Sequence, residues 1–242
     1  MINTIGIIGY GNFGTFVHEL GQRFFPGLEY RIHSRRCAPD NEKFFDLKTA
    51  AQSDVVFLCA GIREYEERMK AVLEHALPHT VFIDVATVKK HTSDLCHKYC
   101  DGRRFISTHP MFGPTSYQKH KGNVEGFRIV VTDYTLKNDD YQMLKDKFSI
   151  FGFNIIEMTA DEHDKNLAET LFVTHYIGQS IMKAGFDRTE LDTLSFQFLM
   201  DAVESVKNDQ KLFEDVYKYN PYCKEAAEKF HSSQQEVFKN LK

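Results

Sequence analysis

The sequence has few of the features that mark membrane, secreted or nucleic-acid-binding proteins. No stretch reaches the ~20 consecutive apolar residues that a membrane-spanning helix needs. The formal net charge is -4 and no long basic run offsets it, which argues against polyanion binding as the main role. The five cysteines are odd in number and scattered, unlike those of a disulfide-stapled secreted domain. These absences predict a soluble, cytoplasmic protein with reduced cysteines.

One short segment carries side chains of the kind that bind metals, at Cys96, His97 and Cys100. A structural zinc site needs a second pair of ligands at suitable spacing, and the sequence offers none. The segment therefore favours thiols on a helix, and no metal is predicted.

Apolar, β-branched segments alternate with segments of helical spacing over the first two thirds of the chain. The seven predicted strands are Thr4–Gly9, Glu29–His33, Asp54–Ala60, Thr80–Val85, Arg104–Ser107, Phe127–Thr132 and Phe153–Glu157. The predicted helices between them are Asn12–Phe24, Ile62–His75, Lys89–Tyr99 and Asp139–Phe151. The alternation predicts an α/β fold, with a Rossmann-type doubly wound and mostly parallel sheet.

The strand pattern stops after about Thr159, and four helical segments follow. They are Asp161–Ala184, Thr193–Val206, Gln210–Tyr219 and Tyr222–Leu241. We therefore predict a dinucleotide-binding domain over residues 1–159 and a smaller, all-α domain for substrate binding and dimerisation over residues 160–242.

A glycine turn follows the first predicted strand directly and precedes the first predicted helix, reading G-x-G-x-x-G over residues 9–14. In a dinucleotide site the first glycine permits the turn, the second lets a pyrophosphate approach, and the third allows close packing of helix on strand. The helix N-terminus attracts the anion. A purely structural turn is the alternative. The predicted cofactor-binding residues of this turn are Gly9, Tyr10, Gly11, Asn12, Phe13 and Gly14.

The end of the second predicted strand carries Ser34, Arg35 and Arg36 where an NAD site usually has an acid. A serine hydroxyl and an arginine fork suit the oxygens of a 2'-phosphate. The triplet therefore predicts NADP as the cofactor, although a solvated basic turn would look the same.

A histidine lies in the segment after the fifth predicted strand, at the carboxyl edge of the sheet where open α/β folds bind ligands. This residue, His109, can be neutral near pH 7 and accept a proton from a hydroxyl during hydride transfer. A structural capping histidine is the alternative.

Five segments resemble the prephenate/arogenate dehydrogenases of tyrosine biosynthesis. The strongest is Thr108–Pro114, reading THPMFGP; Asp84–Lys89 is similar to a family segment ending in Ser-Val-Lys. Glu157–Asp164, Phe172–His175 and Tyr217–Pro221 resemble blocks of the plant-type, NADP-dependent arogenate branch. The resemblance covers nearly the whole chain.

This resemblance implies an oxidative decarboxylation. Hydride leaves ring C4 of arogenate or prephenate for the cofactor, carbon dioxide departs, and the ring becomes aromatic. His109 matches the family's catalytic histidine, which accepts the hydroxyl proton. Thr87 takes the place of a serine that helps to hold that hydroxyl.

One departure from the family concerns the substrate carboxylate, which an arginine on a C-terminal helix commonly binds. This chain has Gln197 there, and an amide carries no charge. Arg188, Lys183, His175 or a partner subunit are the alternatives. The predicted substrate-binding residues are His175, Gln197 and Thr108.

Choice between the two substrates needs an acid for the arogenate ammonium or a donor for the prephenate keto group. Glu162, Glu169 and Asp192 are candidate acids, although each also fits a solvated helix position. The plant-like blocks favour arogenate. The resemblance also implies a homodimer that pairs through the helical domain.

Two other functions fit parts of the sequence. A reductase of the β-hydroxyacid or pyrroline-carboxylate type also joins a Rossmann domain to helices, but lacks the His-Pro-Met-Phe-Gly-Pro block. A dinucleotide-binding sensor that has lost catalysis is consistent with the departures at Thr87 and Gln197.

Overall fold

A computed structural model describes residues 2–241 of the chain. The chain forms two compact units, with the boundary between Ala160 and Asp161. The first unit contains all seven strands of the described chain, and the second is helical. An α/β unit followed by a smaller helical unit is the predicted fold class, which the structure confirms.

The first unit is built on one sheet with the strand order β2-β1-β3-β4-β5-β6-β7. The strands are β1 (Thr4–Ile8), β2 (Glu29–His33), β3 (Val55–Leu58), β4 (Val81–Asp84), β5 (Arg104–Pro110), β6 (Arg128–Tyr134) and β7 (Asn154–Glu157). All neighbours are parallel except β5 and β6, which are antiparallel. Strand β2 is added on one side of β1, and β3 and the later strands are added on the other side. The glycine turn after β1 therefore lies at the switch point where doubly wound folds bind ligands.

Helices cover both faces of this sheet. They are α1 (Asn12–Phe24), α2 (Leu47–Ala51), α3 (Tyr65–Leu73), α4 (Lys89–Tyr99), α5 (Pro114–Lys119) and α6 (Asn138–Ile150), with a 3₁₀ turn at Ile62–Glu64 before α3. The sequence pattern did not predict α2 and α5, because their five and six residues are too short to show a helical period.

Strand β5 is longer than predicted. The sequence favoured a strand that ends at Ser107, with Thr108 and His109 in a following loop. In the structure both residues belong to β5, where Thr108 pairs with Val131 and His109 with Val130. The antiparallel neighbour extends the ladder, and β5 ends at Pro110, which has no amide hydrogen to donate.

The core of the first unit lies on both sides of the sheet. One cluster includes Leu58, Met69, Phe82 and Leu95, and joins β3 and β4 to α3 and α4. An aromatic cluster lies between α1, α5 and the strands β6 and β7; its buried members are Phe16, Tyr117, Val124, Phe127 and Phe153. These clusters fix the strand ends that carry the candidate site.

The second unit consists of helices only. They are α7 (Ala160–Leu167), α8 (Val173–Ala184), α9 (Leu194–Val206), α10 (Gln210–Tyr219) and α11 (Cys223–Asn240). A π-helical segment at Ala168–Phe172 joins α7 to α8, so the predicted single helix is interrupted. A Cβ on Gly178 would lie 2.5 Å from Cγ2 of Val206, so α8 and α9 pack closely. No helix within residues 2–241 is long and apolar enough to cross a membrane.

Candidate active site

The glycine turn has two glycines that the fold requires and one whose Cβ position is open. Gly9 has φ +103°, and a Cβ there would lie 2.4 Å from the Cys59 carbonyl oxygen. A Cβ on Gly14 would lie 2.0 Å from the carbonyl oxygen of Gly9. A Cβ on Gly11 would meet nothing within 4 Å. The α1 N-terminus has no side-chain cap and no acid in its first turn, so the turn fits a pyrophosphate.

The other predicted residues of the turn differ in their surroundings. The ring of Tyr10 packs edge-on against Phe44 and lies under the Lys43 ammonium group, 5.0 Å from the ring centroid. Phe13 packs against Phe16, whereas Asn12 is exposed. Because both rings are used in packing, we expect Tyr10 and Phe13 to offer a ligand mainly their backbone groups.

The end of β2 presents two exposed arginines beside a buried serine. The Ser34 hydroxyl accepts a hydrogen bond of 3.2 Å from the Arg36 amide, so its own hydrogen can point to a ligand. Arg35 forms an ion pair with Glu64, at the end of the 3₁₀ turn after β3. This ion pair could not be predicted from the sequence, because the two residues lie 29 positions apart.

A buried carboxylate organises the end of β4. Asp84 has no solvent exposure, and each of its two oxygens accepts hydrogen bonds of 2.6–2.9 Å. The donors are the Tyr65 hydroxyl and the Ala86 amide to Oδ1, and the Lys89 ammonium, Thr92 hydroxyl and Ser107 hydroxyl to Oδ2. Burial, followed by the charge of Asp84, raises the pKa of Tyr65 well above its usual range, so Tyr65 remains a donor.

This network ties β4 to β5. The Lys89 ammonium donates to the Thr108 carbonyl at 2.6 Å, and the Thr108 hydroxyl donates to the Asp84 carbonyl at 2.7 Å. The single hydroxyl hydrogen of Thr108 is thereby used inside the protein, which leaves only an acceptor for a substrate. Thr108 thus has a structural role in the free protein, and substrate binding by Thr108 stays a prediction.

His109 and Thr87 belong to the same edge of the sheet. Asp84 of β4 is paired with Ser107 of the parallel strand β5. Thr87 lies three residues after Asp84, and His109 lies two residues after Ser107. His109 is 6% exposed and Thr87 is half-buried. An imidazole on a rigid strand next to a hydroxyl-bearing turn suits proton transfer at a fixed position.

The segment with Cys96, His97 and Cys100 lies at the end of α4. Cys96 and Cys100 are buried in the core, whereas the exposed His97 pairs with Asp133. Within the described part of the chain no group of three or more potential ligands is arranged to hold a metal.

His175 in the second unit is buried and has one ring nitrogen without a hydrogen-bond partner. Its Nδ1 lies 2.9 Å from the Leu171 carbonyl oxygen, which requires Nδ1 to be the donor. Its Nε2 is inaccessible to solvent, lacks a hydrogen bond, and lies 3.8 Å from the nearest carboxylate, that of Asp209. Nε2 of His175 therefore has no hydrogen-bond partner among the described residues.

The other candidates of the second unit have partners near them. Gln197 is exposed, and its amide donates weakly to the Asp192 carbonyl at 3.5 Å. Arg188 forms an ion pair of 2.5 Å with Asp201.

The candidate acids Glu169 and Asp192 also have polar partners. Glu169 pairs with Lys229 at 3.2 Å, and the Asp192 carboxylate accepts from the Thr189 amide and hydroxyl. Both carboxylates therefore have polar partners in the free protein.

Comparison with known proteins identifies relatives of this chain. A family model described as the nucleotide-binding domain of prephenate dehydrogenase matches residues 34–146. The chloroplastic arogenate dehydrogenase 2 of Arabidopsis thaliana is 30% identical over 255 residues, covering 98% of this chain and 70% of that protein. The sequence match therefore extends over both units.

Solved structures share the fold. Prephenate dehydrogenase from A. aeolicus, in complex with hydroxyphenyl propionate and NAD+, has a TM-score of 0.78 at 17% identity, covering 100% of this chain and 91% of that one. Synechocystis arogenate dehydrogenase has a TM-score of 0.72 at 18% identity, covering 98% and 91%. From the sequence match to the Arabidopsis enzyme and the family model, we conclude that this chain belongs to the prephenate/arogenate dehydrogenase family.

Proposed function

We propose that the protein catalyses the NADP-dependent oxidative decarboxylation of arogenate, with prephenate as the alternative substrate. The observation that carries this proposal is the buried His109 on β5, at the same sheet edge as the turn that bears Thr87. The turn at Gly9–Gly14 lies at the end of β1, in the same parallel set of strands. A dinucleotide and a hydroxyl-bearing ring can therefore meet at one edge of the sheet.

The cofactor site rests on the glycine turn and the end of β2. The amides at the start of α1 would hold the pyrophosphate, and Ser34, Arg35 and Arg36 would hold a 2'-phosphate. A bound nicotinamide dinucleotide supplies the hydride acceptor. The preference for NADP is supported by two arginines and the lack of an acid at the β2 end.

His109 acts as the proton acceptor in this mechanism. It takes the proton of the substrate's 4-hydroxyl as the C4 hydrogen leaves with its electron pair. The electrons of the bond to the ring carboxylate then complete the aromatic ring as carbon dioxide departs, and the proton returns to the ring oxygen. Thr87 holds the hydroxyl in line, so orientation supplies much of the rate enhancement.

The plant-like sequence blocks support arogenate over prephenate as the substrate. The Arabidopsis protein that matches 98% of this chain is an arogenate dehydrogenase. His175 stays a predicted substrate-binding residue. Gln197 would add an uncharged donor for a carboxylate.

Exposed apolar side chains in the second unit support a homodimer. Phe186, Leu191, Leu194 and Phe198 are each at least 65% exposed. All four lie within residues 186–198, and clusters of exposed apolar side chains are typical of surfaces that a partner covers. Light scattering at working concentration is expected to give twice the mass of one chain.

Steady-state kinetics with both substrates and both cofactors test the proposal. We expect the highest kcat/KM for the pair arogenate and NADP. Equal or better kcat/KM with NAD would contradict the cofactor preference, and a higher value with prephenate would contradict the substrate preference. No reduced cofactor with any of the four pairs would contradict the activity itself. A cytoplasmic location stays a prediction from the sequence.

A further inference from the structure

The ends of β2 and β3 lie on opposite sides of β1, and one ion pair joins them. Arg35 follows β2, Glu64 follows β3, and the glycine turn follows the strand between them. The pair therefore reaches from one side of the predicted dinucleotide site to the other. It is exposed, at 60% for Arg35 and 45% for Glu64, so a ligand can reach both side chains.

The structure holds Glu64 in this position from two sides. The 3₁₀ turn Ile62–Glu64 fixes its backbone directly before α3. Its carboxylate also lies 3.7 Å from Nε of Arg68, one helical turn further along, whose side chain is only 15% exposed. Glu64 thus contacts two guanidinium groups, and Arg68 anchors it while Arg35 is free to exchange partners.

An acid close to the end of β2 has a defined effect in dinucleotide folds. It accepts hydrogen bonds from the ribose hydroxyls of NAD, and its charge repels the 2'-phosphate of NADP. In this chain the segment after β2 has no such acid, because it reads Ser34, Arg35 and Arg36. In the structure the carboxylate of Glu64 reaches Arg35 from the 3₁₀ turn that follows β3.

We propose that Glu64 is a specificity-determining residue that reduces the preference of this site for a 2'-phosphate. The Glu64 carboxylate is paired with the Arg35 guanidinium in the free protein. A 2'-phosphate must therefore displace that carboxylate in order to bind the guanidinium. Ribose hydroxyls do not compete for Arg35 and meet no such repulsion. This inference rests on the proposed binding of the adenosine half of NADP or NAD beside Arg35.

Direct binding of two adenosine fragments isolates this effect from turnover. Isothermal titration measures the affinities of 2'-phosphoadenosine 5'-phosphate and of adenosine 5'-phosphate, which differ only in the 2'-phosphate. For Glu64→Gln we expect the ratio of the two affinities to rise roughly five- to tenfold in favour of the 2'-phosphate, since a surface charge is removed beside it. The gain should shrink as ionic strength rises.

Two controls test whether the change in the affinity ratio depends on the pair of Glu64 and Arg35. Glu74→Gln removes the same charge just beyond the far end of α3 and should leave the ratio unchanged. In an Arg35→Ala background the gain from Glu64→Gln should become smaller, because the guanidinium for which the carboxylate and phosphate compete is gone.

The outcomes separate this inference from the proposed cofactor preference. The wild-type ratio of affinities tests whether a 2'-phosphate is preferred, and the change in that ratio on substitution tests Glu64. An unchanged or lower ratio for Glu64→Gln would overturn the inference, as would an equal rise for Glu74→Gln. The inference is also overturned if neither fragment binds any variant measurably.

Discussion

Lys89 and Asp84 form an ion pair that is sealed from solvent, with 2.6 Å between Nζ and Oδ2 and no exposure of either side chain. A buried charge is costly unless its partner and further hydrogen bonds compensate for it. Here the lysine also donates to the Thr108 carbonyl, next to His109 in β5. The charge pair therefore supports the strand that carries the proposed base.

Removal of the lysine charge alone should destabilise the protein strongly. For Lys89→Met we expect a loss of roughly 3–5 kcal/mol of unfolding free energy, because the Asp84 carboxylate remains buried without its counter-charge. The double substitution Asp84→Asn with Lys89→Met should recover part of this loss. Urea unfolding followed by circular dichroism measures both.

Lys98→Met is the matched control for this experiment, since Lys98 makes an exposed ion pair of 3.7 Å with Glu66. It should change the unfolding free energy by less than about 1 kcal/mol. An equal loss in Lys89→Met and Lys98→Met would contradict a compensating role for the buried pair.

Replacement of the proposed base should affect turnover far more than binding. His109→Asn removes the proton acceptor but keeps a polar side chain of smaller size, and we expect kcat to fall ~10²-fold or more. Dinucleotide affinity and the thermal unfolding midpoint should stay close to wild type. Near-normal kcat would exclude His109 as the base, and lost dinucleotide affinity would indicate a structural role instead.

Alanine substitutions at two glycines of the turn should differ in their effects on folding and on cofactor binding. Gly14→Ala forces a Cβ to within 2.0 Å of the Gly9 carbonyl oxygen, so the unfolding midpoint should drop. Gly11→Ala meets no atom within 4 Å and should fold normally, yet bind NADP more weakly because in the proposed site its methyl group would face the pyrophosphate. Unchanged NADP affinity in Gly11→Ala would mean that the pyrophosphate does not lie against this residue.

The stability of the protein at acid pH should depend on Asp54, the residue directly before β3. Its carboxylate accepts hydrogen bonds from Asn3 and Thr4 at the start of β1. The Asn3 amide, with further donors on Thr4, lowers the pKa of Asp54 to about 2 from its usual 3.8. A lowered pKa in the folded state gives stability that is complete above the unfolded value and is lost as the pH falls through the folded one. We expect this contribution to be at most about 2 kcal/mol, since the side chain is partly exposed.

Urea unfolding between pH 5 and pH 2.5 measures this contribution. Asp54→Asn should unfold more easily than wild type at pH 5, and the difference should narrow toward pH 2.5. Asp101→Asn, which removes an exposed carboxylate, controls for the change in net charge. A constant difference between Asp54→Asn and wild type at every pH would show that the carboxylate charge is not what stabilises the β1 start.

Much of the fold could be predicted because its signals are local. The apolar β-branched segments around β1, β3 and β4 are strands in the structure, and the helical period from Gln210 to Tyr219 matches α10 residue for residue. The glycine spacing after β1 predicts a strand, a turn and a helix, which the structure contains. These features depend on neighbours within a few residues along the chain.

The contacts of the site could not be predicted in the same way, because they join distant positions. Asp84 and Lys89 stand out in the sequence only as parts of a family segment, while Tyr65 lies 19 residues from Asp84 and carries no signal. Pairing of β5 with the later strand β6 decides that His109 lies within a strand. A useful signal is present in the sequence: an acid and a lysine five residues apart, at the point where a strand ends and a helix begins.

The π-helical segment at Ala168–Phe172 has a consequence for the evolution of this family member. Such a segment holds one residue more than a regular helix of the same length, as a single inserted residue would produce. The wider turn absorbs that residue locally, whereas one residue added to a regular helix would turn everything after it by about 100°. Deletion of one residue within Ala168–Phe172 should therefore restore a regular helix and leave His175 on the buried face that it shares with Ala168 and Phe172. Deletion of one residue between Phe172 and His175 has no such compensation and should turn His175 away from that face.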